Sequence, residues 1–313
     1  MNTRYFIPSD IPEVLLLLQT HPESKIISGG TDFLIHYKNN VNRPKTLIDI
    51  SQIPELKEIT ILSDEWIIGS TVTLYELIQN KEIQKYFPIL VTAAKSIASP
   101  VIRLKATVGG NLLCENRCVF FNQSEWWRNA IGNCLKCEGE ICIATGGKKN
   151  CFSKSSSDMA PALIILDAWL SILSAENKKP YTLPLHQIYS GNGIFPHILK
   201  SNEIIISIHI PLKPRSNFFY YKLRQRNSID FSSLTIACCR YNEKLKISIG
   251  SADPSPLYWE YNINSQENFE HWIKQKIKKV RLVDNDYFSR DYRKNMLEYH
   301  LMKYFENVKK NEF

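Results

Sequence analysis

Apolar residues in the first half of the chain recur in short runs that predict alternating strands and helices. KIISGG and TLIDI have the length of short strands, and EITIL with EWIIGS predicts a hairpin around Ser63–Asp64. The segment from LYELIQ to Ala98 has helical spacing. Val14 to Leu18 predicts an earlier helix, which Ser9 or Asp10 could cap.

The second half predicts a further group of strands followed by helices. ALIILDAWLSILSA resumes the apolar periodicity, and NEIIISIHIP predicts a strand closed by Pro211. PLKPRSN then has the composition of a linker, so we place a domain boundary near Asn217. Beyond it, three runs predict strands: FFYYKLRQR, LTIACCRY and KLKISIGSA. Two amphipathic helices are predicted around Phe269 to Lys279 and Tyr287 to Val308.

Length and composition are those of a globular protein of two or three domains. Of the 313 residues, 44% are hydrophobic and 22% charged, and the net charge of +8 is spread along the chain. The basic runs are short and lie beside acidic residues, which favours solvated helix faces over a nucleic-acid site and leaves docking of an acidic protein open. No signal peptide or membrane-length apolar run is visible, so a cytoplasmic protein is expected.

Cysteines are concentrated in one polar stretch. Six of the eight lie from Cys114 to Cys151, whereas the pair Cys238–Cys239 lies in an apolar strand and predicts core packing. In a reducing compartment, clustered cysteines favour metal ligation over disulfides. Spacing alone leaves the metal open, because Cys114-x3-Cys118 followed by Cys134-x2-Cys137 would also suit a zinc ribbon.

Two glycine pairs could bring backbone amides close to an anion. They are ISGGTDFL, from Ile27 to Leu34, and TVGGN, from Thr107 to Asn111. Paired glycines permit positive φ and carry no Cβ, so the backbone can close on a phosphate. Either pair alone is more typical of a plain turn. With two pairs, each beside Thr and an Asp or Asn, a nucleotide site and plain turns explain the pattern about equally well. Neither has the spacing of a Rossmann fingerprint or a Walker loop.

Together these segments resemble the FAD-binding subunits of the xanthine oxidase, or molybdenum hydroxylase, family. The resemblance rests on ISGGTDFL, IASPVIRLKATVGGNL and SDMAPALIIL, with YYKLRQRNSIDFSSLTIA and DYFSRDYRKNMLEYHLMKYF similar to the family's C-terminal domain. It implies an α+β fold: a two-part FAD-binding domain of the PCMH or vanillyl-alcohol-oxidase-like type over residues 1–216, and a smaller α+β flavoprotein domain over residues 217–313.

The resemblance also implies an FAD site. The two glycine loops would cradle the pyrophosphate, Asp158 would accept hydrogen bonds from the adenosine ribose, Ile97 would pack on the isoalloxazine ring and Lys222 would lie near the flavin. The full set implied to bind FAD is Ile27, Ser28, Gly29, Gly30, Thr31, Asp32, Phe33, Leu34, Ile97, Thr107, Val108, Gly109, Gly110, Asn111, Asp158 and Lys222.

One branch of the family has a cysteine-bearing insertion that resembles RCVFFNQSEWWRNAIGNCLKCEGEIC. That branch comprises the beta subunits of 4-hydroxybenzoyl-CoA reductases, and the resemblance implies one 4Fe–4S cluster in an insertion at about residues 114–154. The implied ligands are Cys118, Cys134, Cys142 and Cys151. Cys114 and Cys137 are then expected to be free thiols, and Trp126 with Trp127 to form a small core of the insertion.

The function implied is electron transfer, with no catalytic residue on this chain. The seven histidines show no metal-ligand spacing and are interpreted as structural. Reduced ferredoxin would supply electrons, and the partners would be a small 2Fe–2S subunit and a large molybdopterin-binding subunit that removes the phenolic hydroxyl of 4-hydroxybenzoyl-CoA. A first alternative is an FAD subunit of another molybdenum hydroxylase, acting on xanthine, an aldehyde or another aryl-CoA. A second, of a different class, is a zinc-stabilised binding protein without a redox role.

Overall fold

The computed structural model describes residues 3–38, 43–177 and 179–310. Its first part is a small parallel sheet in the order β1-β3-β2, with two helices in the connections. The elements are β1 (Arg4–Phe6), α1 (Ile11–Thr20), β2 (Ser24–Ile27), α2 (Phe33–Lys38) and β3 (Thr46–Asp49). The predicted N-terminal helix is confirmed, and Asp10 is its cap, accepting a 2.8 Å hydrogen bond from the Glu13 amide.

A second, antiparallel sheet follows in the order β4-β5-β8-β6-β7. Its strands are β4 (Ile59–Ile61), β5 (Glu65–Gly69), β6 (Trp169–Ser174), β7 (Pro180–Pro184) and β8 (Glu203–Pro211). The predicted hairpin is confirmed, since β4 pairs with β5 across Ser63–Asp64, and so is the strand that closes at Pro211.

Helices cover one side of this sheet and lead into the cysteine stretch. The predicted helical segment from Leu74 to Ala98 is three helices rather than one, because the side chain of Asn80 caps the second and Pro88 opens the third. The helices are α3 (Leu74–Gln79), α4 (Lys81–Tyr86), α5 (Pro88–Lys95), α6 (Pro100–Arg103), α7 (Val108–Leu112), α8 (Glu125–Ile131) and α9 (Met159–Ile165).

The C-terminal part is a four-stranded antiparallel sheet in the order β12-β11-β10-β9, followed by two helices. Its elements are β9 (Ser216–Leu223), β10 (Leu234–Tyr241), β11 (Lys244–Gly250), β12 (Leu257–Asn262), α10 (Phe269–Lys278) and α11 (Arg290–Lys310). The three predicted strands and both helices are present, and β12 is additional. The chain leaves the five-stranded sheet at Pro211 and enters this one at Ser216, the region in which we place the boundary.

This last sheet has a hydrophobic core on each face. Cys238 packs in the core with α10 and α11, whereas Cys239 faces the core of the FAD-binding part, and neither side chain is exposed. The prediction that both cysteines are core residues is confirmed. Because Cys239 packs in the core of the FAD-binding part, the C-terminal sheet lies directly against the part of the molecule that carries the glycine loops.

Within the described ranges, no helix has the length and apolar character needed to cross a membrane.

Candidate functional site

A cavity of about 590 Å³ lies where the parallel sheet, the α6–α7 segment and the C-terminal sheet meet. Both glycine loops contribute to its lining, as do residues of the segment before β8 and of β9. The volume falls in the range of sites that enclose a small molecule or cofactor. The cavity is therefore the candidate FAD site.

The first glycine loop depends on the absence of a side chain at two positions. The loop follows β2 directly, and Gly30 has φ +67°, a conformation that favours glycine. A Cβ on Gly29 would lie 1.7 Å from the carbonyl oxygen of Lys105, just before the second loop. The glycines thus bring the two predicted loops into backbone contact.

The second glycine loop forms the first turn of α7. Thr107 caps it by accepting a hydrogen bond from the Gly110 amide at 3.1 Å, and the Gly109 amide donates to the Ser70 carbonyl at 2.9 Å. The side-chain oxygen of Asn111 accepts from the Ser157 hydroxyl and the Met159 amide. Asn111 therefore joins this loop to the segment that carries Asp158.

Fourteen of the sixteen residues predicted to bind FAD line the cavity, and two do not. Val108 is fully buried in the core, and its amide donates to the Val72 carbonyl, so neither its side chain nor its N–H is available. Leu34 lies on α2 with 42% of its side chain exposed and contributes nothing to the lining. These two predicted residues therefore lie outside the cavity lining, because neighbours along the sequence face opposite sides of a short helix.

Asp158 and Lys222 form a buried ion pair in the lining, with a separation of 2.7 Å. Lys222 also donates to the Ser96 carbonyl at 3.0 Å, beside Ile97, and the Thr235 hydroxyl donates to Asp158 at 3.1 Å. The sequence predicted Asp158 at the adenosine ribose and Lys222 at the flavin, which are opposite ends of an extended FAD. The two side chains touch in the structure, and the hydrogen bond from Lys222 to the Ser96 carbonyl puts the pair next to Ile97, at the predicted flavin end.

Several buried hydroxyl groups in the lining have no hydrogen-bond partner within the protein. They belong to Ser24, Ser28 and Ser70. Buried polar groups are almost always satisfied, so these hydroxyls are available to a polar ligand. With the Lys25 and Lys222 side chains also in the lining, they suit phosphate, ribityl and ribose oxygens. The residues present fit FAD.

Sequence reasoning missed several lining residues that lie outside the glycine motifs. His197 lies in the lining, and burial lowers its pKa to about 4, so it is neutral near pH 7. The sequence predicted structural roles for all seven histidines, whereas His197 lies in the wall of the candidate site. The other missed positions include Ser24, Lys25, Ser70, Lys200, Glu203, Ile229 and Phe231. Ser24 and Lys25 lie on β2, directly before the first glycine loop, and the others come to the cavity from separate elements through folding. Nothing local in the sequence marks any of them.

A second, smaller pocket is lined by four of the eight cysteines. They are Cys118, Cys134, Cys142 and Cys151, the set predicted to hold the cluster. The remaining lining is largely apolar and includes Phe120, Phe121, Leu135, Ile143, Ala144 and Phe152. A pocket with four thiols and an apolar wall is the donor set that a 4Fe–4S cluster requires. The residues present fit such a cluster.

The other two cysteines of the stretch lie elsewhere. Cys114 lines the FAD cavity, and burial raises the pKa of its thiol well above the usual value. Cys137 is outside the four-cysteine pocket but touches Cys134, and the hydrogen bond between them lowers the pKa of Cys134 to about 6. The zinc-ribbon set is thus divided between two sites.

No group of three or more His, Cys, Asp or Glu side chains converges on a single point within the described residues. The four pocket cysteines surround a space instead.

The cysteine stretch forms an insertion whose ends are held together. Arg117 and Lys154 exchange two backbone hydrogen bonds of 2.9 Å. The predicted inner core is only partly correct, because Trp126 is 77% exposed whereas Phe121 is 2% exposed. The insertion therefore packs around Phe121 rather than around its tryptophans.

The insertion is attached to the first glycine loop through Asp32. The Asp32 carboxylate pairs with the Arg117 guanidinium and accepts a 3.1 Å hydrogen bond from the Glu115 amide. On the adjoining helix α2, the His36 ring stacks on Phe121 at 5.7 Å between centroids. The loop that lines the FAD cavity and the segment that lines the cysteine pocket are therefore in direct contact.

Comparison with known proteins agrees with this geometry. The family described as the FAD binding domain in molybdopterin dehydrogenase matches residues 1–213. The xanthine dehydrogenase FAD-binding subunit of Escherichia coli O157:H7 is 27% identical over 272 residues, 84% of this chain and 79% of that protein. The aldehyde oxidoreductase FAD-binding subunit of Escherichia coli K12 is 30% identical over 234 residues, 72% of this chain and 73% of that protein.

Solved structures share the whole fold. Carbon monoxide dehydrogenase from Hydrogenophaga pseudoflava has a chain that superimposes with a TM-score of 0.75 at 20% identity, covering 95% of this chain and 94% of that one. Quinoline 2-oxidoreductase from Pseudomonas putida 86 has one with a TM-score of 0.74 at 17% identity, covering 98% of each chain. At these identities the likeness concerns the fold.

Proposed function

Because the chain belongs to the family of FAD-binding domains of molybdopterin dehydrogenases, we propose that it is an electron-transfer subunit carrying FAD and a 4Fe–4S cluster. The whole enzyme is of the 4-hydroxybenzoyl-CoA reductase type. Its large subunit binds molybdopterin and removes the phenolic hydroxyl of 4-hydroxybenzoyl-CoA, its small subunit carries 2Fe–2S clusters, and ferredoxin is the electron donor. The family membership supports the FAD subunit, and the cysteine insertion supports the finer assignment.

The residues of this chain provide two binding sites and a contact between them. When bound, FAD exchanges one or two electrons and a 4Fe–4S cluster exchanges one. The glycine loops present backbone to the FAD phosphates, and Lys222 with Asp158 contributes charge at the end of the cavity near Ile97. Cys118, Cys134, Cys142 and Cys151 hold the cluster, and the apolar wall limits the access of water to it.

The single observation that carries the proposal is the four-cysteine pocket. Its cysteines come from positions spread over 34 residues, and two further cysteines of the same stretch are left out of it. The four cysteines that line the pocket are the same four that the resemblance implies as cluster ligands. The contact between Asp32 and Arg117 gives further support, because Arg117 adjoins Cys118 of the pocket and Asp32 belongs to the first glycine loop.

Anaerobic purification tests the proposal directly. We expect a yellow-brown protein with one FAD and about four irons per chain, since one cluster holds four irons. Flavin is measured after acid release, and iron, sulphide and zinc by elemental analysis. A colourless protein with one zinc per chain would establish the non-redox alternative and end the proposal.

The ligand assignment has its own test in two serine variants. Cys142→Ser should abolish the cluster absorbance and leave FAD bound, because the glycine loops lie outside the ligand set. Cys137→Ser is the matched control from the same stretch and should keep its iron. If the Cys137 variant loses iron and the Cys142 variant retains it, the assignment is wrong.

A second candidate is an FAD subunit of a molybdenum hydroxylase with another substrate. It is favoured by the relatives themselves, whose names specify xanthine dehydrogenase and an aldehyde oxidoreductase. The complex purified with its partner subunits separates the two. Reduction of 4-hydroxybenzoyl-CoA by dithionite-reduced methyl viologen supports the first candidate, whereas oxidation of xanthine or an aldehyde with ferricyanide supports the second.

A further inference from the structure

Lys136 places a buried ammonium group in the lining of the cysteine pocket. Its side chain is 3% exposed, and its Nζ donates to Glu115 Oε1 and to the Gly193 carbonyl, each at 2.5 Å. The same ammonium lies 5.1 Å from the centre of the Phe121 ring, another lining residue. Burying a lysine is unfavourable unless its charge is paired, and Glu115 provides the pairing here.

The two hydrogen-bond partners of Lys136 fix the surroundings of both sites. Glu115 holds Asp32 through its backbone amide, on the side of the FAD cavity. Gly193 packs on the cysteine pocket so closely that a Cβ there would lie 2.8 Å from the sulphur of Cys151. Lys136 thus joins segments that touch each of the two proposed cofactors.

Lys136 and Glu115 differ in their relation to the cysteine pocket. Lys136 lines the pocket, whereas Glu115 does not. Burial by itself would raise the pKa of Glu115, but the neighbouring Lys136 lowers it below its usual value. The ammonium donates to the Gly193 carbonyl, and Gly193 packs against the sulphur of Cys151, so the positive charge lies beside the pocket.

Resting on the proposed function, we propose that Lys136 is a positioning residue that raises the reduction potential of the iron–sulphur cluster. One electron from a reduced one-electron donor adds one negative charge to the pocket, and no bond or proton is exchanged. A fixed positive charge at the wall favours the more negative state, and net charge and hydrogen bonding are among the factors that set cluster potentials.

The test is a redox titration of the intact holoprotein, followed by electron paramagnetic resonance of the reduced cluster. Lys136→Met should lower the ratio of reduced to oxidised cluster about tenfold at the wild-type midpoint, a shift of about −59 mV for one electron. Glu115→Gln removes the compensating negative charge and should shift the midpoint in the opposite direction. A packing effect has no reason to produce opposite signs.

Two lysine variants are the controls. Lys136→Arg keeps the charge and should stay near the wild-type midpoint. Lys148→Met removes an exposed lysine from the same insertion and should leave the midpoint unchanged.

The inference is overturned if the Lys136→Met variant keeps its iron and its wild-type midpoint. It is also overturned if the methionine and arginine variants lose iron alike, since packing rather than charge would then be the role of Lys136. Wild-type protein without iron removes this inference together with the proposed function. Wild-type protein with iron and flavin, but an unshifted methionine variant, removes the inference alone.

Discussion

At Gly29, one missing Cβ determines whether the two glycine loops can form a single site. The space that a methyl group would take is already occupied by the Lys105 carbonyl, 1.7 Å from the ideal Cβ position. That atom belongs to backbone, which cannot rotate aside as a flexible side chain could. The requirement for glycine is therefore steric and belongs to the contact between loops, rather than to the turn alone.

Gly29→Ala should accordingly push the loops apart and release FAD. Overpacking of this kind typically costs about 1–3 kcal/mol, enough to lower flavin affinity by about tenfold or more. The measurement is the ratio of flavin to protein absorbance after gel filtration at low concentration. Gly147→Ala is the control, because a Cβ at this position would come no closer than 3.4 Å to its nearest neighbour, the Thr145 side chain. Equal flavin content in the two variants would contradict the steric argument.

His197 predicts a pH dependence of stability. Burial lowers its pKa from 6.5 to about 4, so between these values the unfolded chain binds a proton that the folded protein does not. Stability therefore rises with pH through this window and is lost as the pH falls from about 6.5 to 4. His197→Gln cannot titrate and should lose less stability in the window.

Thermal midpoints of wild type and the variant at about pH 7 and about pH 5 measure the difference. His271→Gln, at an exposed position on α10, is the control and should behave as wild type does. A wild-type protein whose midpoint falls no more steeply than that of His197→Gln would show that the buried imidazole does not contribute.

Among the elements, the insertion is the one whose boundaries are defined by its own hydrogen bonds. Arg117 and Lys154 form a two-residue antiparallel bridge, so the 36 residues between them leave and return at one place. Their side chains then connect in different directions, Arg117 to the FAD loop and Lys154 to the C-terminal part. The cysteine pocket therefore forms within a segment closed by this bridge, and the glycine loops lie outside that segment.

Replacing residues 118–153 with a short Asn-Gly turn should therefore give a flavoprotein without iron. The antiparallel bridge suits a two-residue turn, and Arg117 remains to pair with Asp32. The measurement is FAD and iron content of the purified deletion variant. Loss of FAD from a folded deletion variant would mean that the insertion itself builds the flavin site.

Elements with strong local signals were predictable, and elements defined by distant contacts were not. The helix cap at Asp10 and the hairpin around Ser63–Asp64 are each specified by residues that are close together in the sequence. β12 was missed because its side chains are mostly half-buried, which gives LYWEYN no clean alternation. The same reason applies to the site. The glycine loops are marked locally, whereas Ser70 reaches the cavity through the pairing of β5 with β8, and His197 lies in a segment far along the chain from both loops.

At the scale of the whole molecule, buried ion pairs join the C-terminal part to the functional sites. Lys222 of β9 neutralises Asp158 in the FAD cavity, and Lys154 at the end of the insertion pairs with Asp286 before α11. Each pair has one partner in the FAD-binding part and one in the C-terminal part. The C-terminal part therefore contributes to the wall of the FAD cavity and holds one end of the insertion.

The pair at Lys154 gives a measurable consequence. Both side chains are buried, with exposures of 7% and 4%, and Lys154 also donates to the Ser232 carbonyl at 2.5 Å. Asp286→Ala leaves the ammonium buried without its counter-charge, which should cost about 3–5 kcal/mol of the free energy of unfolding. Asp291→Ala, at a position 75% exposed, removes only a surface contact with Arg290 and should cost less than about 1 kcal/mol. Denaturant unfolding of the holoprotein compares the two, and equal losses would mean that the domains are held together by their apolar core alone.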